Sequence, residues 1–273
     1  MPLSKIQSDV LRLLASQRDS ESYVAGSTPL NRNNPRFSGD IDVFHDREER
    51  VARAFMQDSV LLRAHGFELQ ELRREPTFYA VLVRRGDEVT KFEWVVDSDF
   101  RFFPTVPDKE FGYVLHPIDL ATNKVSAATS RREPRDVVDL VAIHKQVLPL
   151  GAVIFAAAGK FVGFTPEGII NEIRRLARYT DADFRRIASD PLIDPVVLME
   201  QLRRALDEAE AFVMRMPTNK IGLLFLKDGV VVQPDPDQLA NYQTHAGQQC
   251  GQWPSNPEIV SAMFERYHIG SIF

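Results

Sequence analysis

The amino-acid sequence predicts an α/β fold, a small mixed sheet flanked by helices over residues 1–115, completed by a mainly helical lobe over residues 116–273. Residues 38–45 alternate polar and apolar with the two-residue period of a strand. Residues 67–96 hold three more strand-like runs, broken at Glu75-Pro76 and at Arg85-Gly86-Asp87. After Pro117 the apolar spacing becomes helical over most of the remaining chain.

In chain order, residues 4–18 place Ile6, Val10, Leu11, Leu13 and Leu14 at helical spacing, and residues 22–25 read as a short buried strand ending at Gly26. Thr28-Pro29-Leu30 reads as a helix start, because proline is tolerated where its missing N–H would be unpaired anyway; Gly26 and Ser27 then lie at a helix N-terminus. In the strand over 38–45, Asp40, Asp42 and Phe44 share one face and Ile41 and Val43 the other. Residues 47–65 form an amphipathic helix closed by Gly66. Helices follow over 118–130, 134–146, 166–178, 182–188 and 195–214, and then a hairpin over 221–232 turning at Asp228-Gly229.

The bulk composition narrows the function classes. A chain of 273 residues that is 44% apolar can bury a substantial core. The single cysteine, Cys250, cannot form an internal disulfide, which fits a reducing, cytoplasmic setting. The N-terminal residues read as an amphipathic helix rather than a signal peptide. The apolar run over 147–162 is interrupted by Pro149, Gly151, Gly159 and Lys160 and falls short of the ~20 residues of a membrane span, so no membrane partner is expected. A net charge of -5 argues against nonspecific coating of nucleic acid. The six histidines have no zinc-like spacing and read as capping or surface residues. Arg174, Arg175, Arg178, Arg185 and Arg186, interleaved with acids, read as a solvated face, and Trp94 and Trp253 as packing residues.

The chemistry concentrates at Asp40 and Asp42. Two carboxylates two residues apart on a strand repel each other unless a cation lies between them, which makes the pair an economical magnesium site. An isolated Asp-x-Asp says little, but here Gly26-Ser27 lies upstream, where a glycine permits close backbone approach and a helix start offers N–H groups to phosphate. Magnesium bridging the aspartates and a nucleoside triphosphate, with Ser27 on the phosphates, would suit in-line attack on the α phosphorus.

Val24-Ala25-Gly26-Ser27-Thr28-Pro29-Leu30 and Arg36-Phe37-Ser38-Gly39-Asp40-Ile41-Asp42-Val43-Phe44 resemble the Gly-Gly/Ser-Thr-x-Leu and Arg-Phe-Ser-x-Asp-Ile-Asp-Leu-Phe motifs of the AbiEii/AbiGii and MenT group of nucleotidyltransferase toxins, in the DNA polymerase beta superfamily. Pro29 departs from that pattern. Asp119 followed by Lys124 resembles the family's lysine-bearing helix, and Arg135-Asp136-Val137-Val138-Asp139 its Arg-Asp-x-x-Asp signature, so the likeness spans residues 24–139.

The resemblance implies a catalytic set of Asp40, Asp42, Lys124 and Asp139, with Lys124, Gly26 and Ser27 binding nucleotide and Arg135 and Asp136 in support. Asp136 and Asp139 share a helix face near Arg132 and Arg135, and either could be the functional acid; for Asp136 a first-turn charge role weighs equally. Glu93 is the expected third metal ligand, with Asp97 and Asp99 competing. Also implied are Mg2+, an NTP substrate, RNA as acceptor at the tRNA 3′ end, a toxin role, a separately encoded antitoxin, and a cleft between the two lobes. Two alternatives remain: nucleotidylation of a small molecule or protein, and a noncatalytic nucleotide- or partner-binding module.

Overall fold

The computed structural model describes residues 3–32, 34–97, 100–160 and 163–249. Asp99, Cys250, Trp253 and His268 lie outside them. The chain divides into two compact units: Pro104–His116 joins the residues before it in the first unit, and Phe100–Phe103 belongs with the residues from Pro117 onward in the second.

The first unit opens with α1 (Lys5–Leu14), started by a reciprocal capping box between Ser4 and Gln7. It continues through β1 (Ser22–Ala25), the single-turn helix α2 (Ser27–Leu30), β2 (Asp40–His45) and α3 (Glu48–Ala64), which the chain leaves at Gly66 with a positive φ of 80°. Strands β3 (Glu68–Glu75), β4 (Phe78–Arg85) and β5 (Glu88–Val96) follow. The first short strand of the second unit, β6 (Phe100–Arg101), interrupts the order before β7 (Val106–Asp108) and β8 (Gly112–Val114) complete the first. The sheet of the first unit has seven strands in the order β3-β4-β5-β2-β1-β8-β7. Sequence periodicity finds β1 to β5 but not β7 and β8, three-residue strands carrying Pro107 and Gly112 that pair with each other and join the sheet through β8 against the distant β1.

Strand pairing sorts the two faces of this sheet. β2 runs parallel to β5 with Ile41 opposite Phe92 and Val43 opposite Trp94, all fully buried. Helix α3 covers that face: Phe55 meets the Trp94 ring edge-on at 5.2 Å, and the indole N–H donates to Asp58 Oδ2 at 2.7 Å. Asp58 also holds Arg18, and both are buried. On the opposite face the same register sets Asp40 beside Lys91 and Asp42 beside Glu93.

The second unit contains α4 (Pro117–Ser130), α5 (Pro134–Gln146), α6 (Leu150–Ala157), α7 (Pro166–Leu176), α8 (Asp181–Phe184) and α9 (Pro195–Val213). A three-stranded sheet, β10-β9-β11, is made from β9 (Leu223–Lys227), β10 (Val230–Val232) and β11 (Gln243–Ala246). Asp228 and Gly229, at φ values of 51° and 75°, make the expected tight turn between β9 and β10. Helix α6, inside the apolar run over 147–162, is buried at all eight positions, so it shows no amphipathic period that would mark it as a helix in the sequence. Helix α8 is shorter than the predicted 182–188 segment. Among the described residues no single helix is long and apolar enough to cross a membrane; the bent pair Pro134–Gln146 and Leu150–Ala157 passes only by length and composition.

The histidine reading is corrected here. His45, His116 and His245 are fully buried, neither caps nor surface residues. His245 Nε2 lies 2.7 Å from the Phe102 carbonyl oxygen, and its ring stacks on Phe103. His45 sits at the end of β2, on the helix-covered face, with neither ring nitrogen hydrogen-bonded among the described residues. Burial, reinforced by the positive charges of Arg18 and Arg50, lowers its pKa to about 3, with Asp19 pulling the other way. The folded state therefore resists a proton that the unfolded chain accepts below about pH 6.5. Stability should fall as pH drops from that value toward the folded-state pKa. Against His45→Leu, the wild type should lose about 2 kcal/mol more between pH 8 and pH 5 in urea unfolding; parallel pH profiles would refute this.

Candidate active site

The first unit brings Gly26, Ser27, Asp40 and Asp42 together. β1 pairs antiparallel with β2, placing Ala25 opposite Asp42. The chain then bends at Gly26, whose φ of 67° and ψ of -144° suit glycine alone. A Cβ built on Gly26 would stand 2.1 Å from Asp42 Oδ2, so the bend and the carboxylate are in contact. The expected helix start is present, but α2 has only four residues. One turn sums few peptide dipoles, so what this helix start offers is individual hydroxyl and N–H groups rather than a macrodipole.

Hydroxyls tie the bend to the acidic strand. Ser27 Oγ and Thr28 Oγ1 each lie 3.0 Å from Ser38 Oγ, while Thr28 and Ser38 both donate to the Asp40 carbonyl oxygen, at 3.0 and 2.9 Å. Gln7 of α1 donates to the Ser38 carbonyl oxygen at 3.0 Å. Ser38 is thus a hub, one that the sequence marks only as part of a motif.

Asp40, Asp42, Lys91 and Glu93 form a square on one sheet face. Lys91 is ion-paired with Glu93. That hydrogen bond, with the negative charges of Glu93, Asp40 and Asp42, outweighs partial burial and raises the Lys91 pKa above the ordinary lysine value. Among the described residues no three acidic, cysteine or histidine side chains are gathered into a ready metal cage. The donors nonetheless suit magnesium, a hard cation that commonly takes one or two carboxylates and fills its remaining positions with water and substrate phosphates. Of the competing acids, Asp97 accepts from the Tyr23 hydroxyl at 2.5 Å, the same hydroxyl that contacts Asp46 at 3.0 Å.

The second unit gathers the later motif residues. Lys124 of α4 is only 7% exposed, not solvent-facing, and its Nζ lies 2.8 Å from Asp139 Oδ2 and 3.1 Å from Asp136 Oδ1 on α5. Arg131 grips Asp136 through two hydrogen bonds of 2.9 Å. Burial acts to raise the Asp136 pKa, but the Arg131 hydrogen bonds and the Lys124 charge prevail and hold it below the usual carboxylate value. Arg131 is thus an arginine on this pair of acids that sequence reasoning did not single out; Arg132 lies over the Tyr179 ring and Arg135 is 3.7 Å from Glu133. Asp119 accepts from the Phe102 and Phe103 backbone N–H groups at 2.8 and 3.0 Å and pairs with Lys160 at 3.2 Å, which fixes β6 to α4. Arg174 and Arg175 pair with Asp207, Glu210 and Glu172, as a solvated charged face does.

A buried ion pair loses heavily when one partner is removed, because the other charge stays desolvated. Asp139→Asn should therefore cost about 3–5 kcal/mol in chemical denaturation, and the double variant Lys124→Met/Asp139→Leu should recover most of it. A single variant as stable as the wild type would show that the pair is not held as described.

No protein-family profile and no curated protein matches the sequence. Solved structures do. The nucleotidyltransferase toxin MenT4 from Mycobacterium tuberculosis aligns over 78% of this chain and 83% of its own, at 18% identity and a TM-score of 0.55. Looser likenesses, on which no weight is placed, are a nucleotidyltransferase from H. pylori (13% identity, 77% and 93% covered, TM-score 0.47) and the RNA terminal uridylyl transferase Cid1 (12%, 97% and 86%, 0.30). The chain is therefore built on the mixed α/β fold of a nucleotidyltransferase toxin, MenT4.

Proposed function

We propose that this protein is a magnesium-dependent nucleotidyltransferase that moves a nucleotide from a nucleoside triphosphate onto an acceptor hydroxyl. RNA is the acceptor, at the tRNA 3′ end, and the protein acts in the cytoplasm as a toxin neutralised by a separately encoded antitoxin. The observation that carries the chemistry is the contact between the Gly26 bend and the Asp42 carboxylate, in the setting of a fold shared with a nucleotidyltransferase toxin. The acceptor is supported by the motif resemblance, and the toxin role by that resemblance and by the likeness to the toxin MenT4.

In this reading Asp40 and Asp42 hold magnesium, with Glu93 as a third ligand. The ion, when bound, supplies charge neutralisation on the triphosphate and on the leaving pyrophosphate. Ser27, at the bend, would donate a hydrogen bond from its hydroxyl to a phosphate oxygen. Its present partner is Ser38 Oγ, whose own proton goes to the Asp40 carbonyl oxygen, so the Ser27 proton can turn from Ser38 to a phosphate. Gly26, lacking a side chain, leaves room for the Asp42 carboxylate to lie against the bend. Lys124 is assigned to the triphosphate, as an ammonium group oriented by Asp139 and Asp136. Asp139 is the functional acid in that role, since Asp136 is shared with Arg131, and Arg135 supports the same helix.

Purified protein incubated with total RNA, magnesium and each labelled triphosphate in turn should incorporate label into RNA with at least one of the four. Asp42→Asn should lower that incorporation by roughly a thousandfold while leaving the melting temperature within a few degrees. Failure with all four triphosphates would count against the proposal, and label appearing on a small molecule or protein would redirect it to another acceptor. Gly26→Ala should be inactive, because the new methyl group collides with Asp42 and the backbone angle resists any side chain; an active Gly26→Ala enzyme would remove the central contact from the mechanism.

A further inference from the structure

Lys91 stands on the sheet square with Asp40, Asp42 and Glu93. It stands opposite Asp40 across the parallel β2/β5 pair and is ion-paired with Glu93, two residues along its own strand and on the same face. Its side chain is 38% exposed, so the ammonium can withdraw into water at little cost, whereas the Glu93 side chain is 14% exposed.

We propose that Lys91 is an internal counter-ion that sets the divalent-cation affinity of the Asp40/Asp42/Glu93 face, by stabilising the metal-free carboxylates and by occupying Glu93 until a metal displaces it. This rests on the metal site of the function proposed above. Without a metal, the ammonium offsets the repulsion among three carboxylates; with a metal, the same positive charge lies beside a dication and disfavours it. Both effects act in one direction, so Lys91 weakens metal binding to the free protein. The dication then enters most favourably with the triphosphate, whose own charge outweighs that of the lysine. Lys91 is a positioning residue in this scheme, acting through Glu93.

The test is Mn2+ binding to the nucleotide-free full chain, measured by electron paramagnetic resonance and by calorimetry. Lys91→Met and Lys91→Gln should each bind Mn2+ about tenfold more tightly than the wild type, and Lys91→Arg should match the wild type. Thermal melts in the absence of metal confirm that each variant is folded. Equal or weaker Mn2+ binding by folded Lys91→Met and Lys91→Gln would overturn the proposal. With Asp42→Asn as a control, its abolishing binding while Lys91→Met leaves affinity unchanged would overturn only the counter-ion role. Mn2+ binding that is indifferent to Asp42→Asn would overturn both this role and the metal site beneath it.

Discussion

The constraint on which the candidate site depends is the bare Cα of Gly26 lying against the carboxylate of Asp42. Antiparallel pairing of β1 with β2 sets Ala25 opposite Asp42, so the residue after Ala25 must turn away within contact of that acid. Only a residue without a side chain can make the turn there at a φ of 67°. The hydroxyls of Ser27, Thr28 and Ser38 then tie the bend to the backbone of Asp40.

Charge is handled alike in the two units, at different depths. In the first, Lys91 sits among carboxylates where water still reaches it, so the arrangement is cheap to open. In the second, Lys124 is enclosed by Asp136 and Asp139, and opening that pair would strand desolvated charges. An exposed lysine suits exchange with a cation, and a buried one suits holding a fixed positive charge.

Periodicity located most long elements because each presents one buried face. It missed α6, buried all round, and β6, β7, β8 and β11, which are too short to show a period; β6, β8 and β11 are also held by partners outside their own stretch of chain. Around the site, Asp40 and Asp42 were legible from their spacing on a strand, and Gly26-Ser27 from its place before a helix start. Ser38 as a hub was not, since a serine beside a strand has many common uses, and Arg131 was overlooked because its reach to Asp136 depends on how the chain turns between α4 and α5. Of the buried histidines, His45 is in phase with Ile41 and Val43 on the apolar face of β2, a sign that strand alternation carries, whereas the burial of His116 and His245 comes from tertiary packing.

The sequence by itself determined which residues share a face: Asp40 with Asp42 along one strand, and Asp136 with Asp139 along one helix, because strand and helix periods are set by local backbone geometry. Tertiary structure decided what those faces meet. That Asp42 lies against the Gly26 bend, that Glu93 and Lys91 stand beside the two aspartates, and that Lys124 is buried between acids all follow from strand register and helix packing. Register and packing are chosen by the summed burial of many distant side chains, and no local stretch of sequence carries that sum.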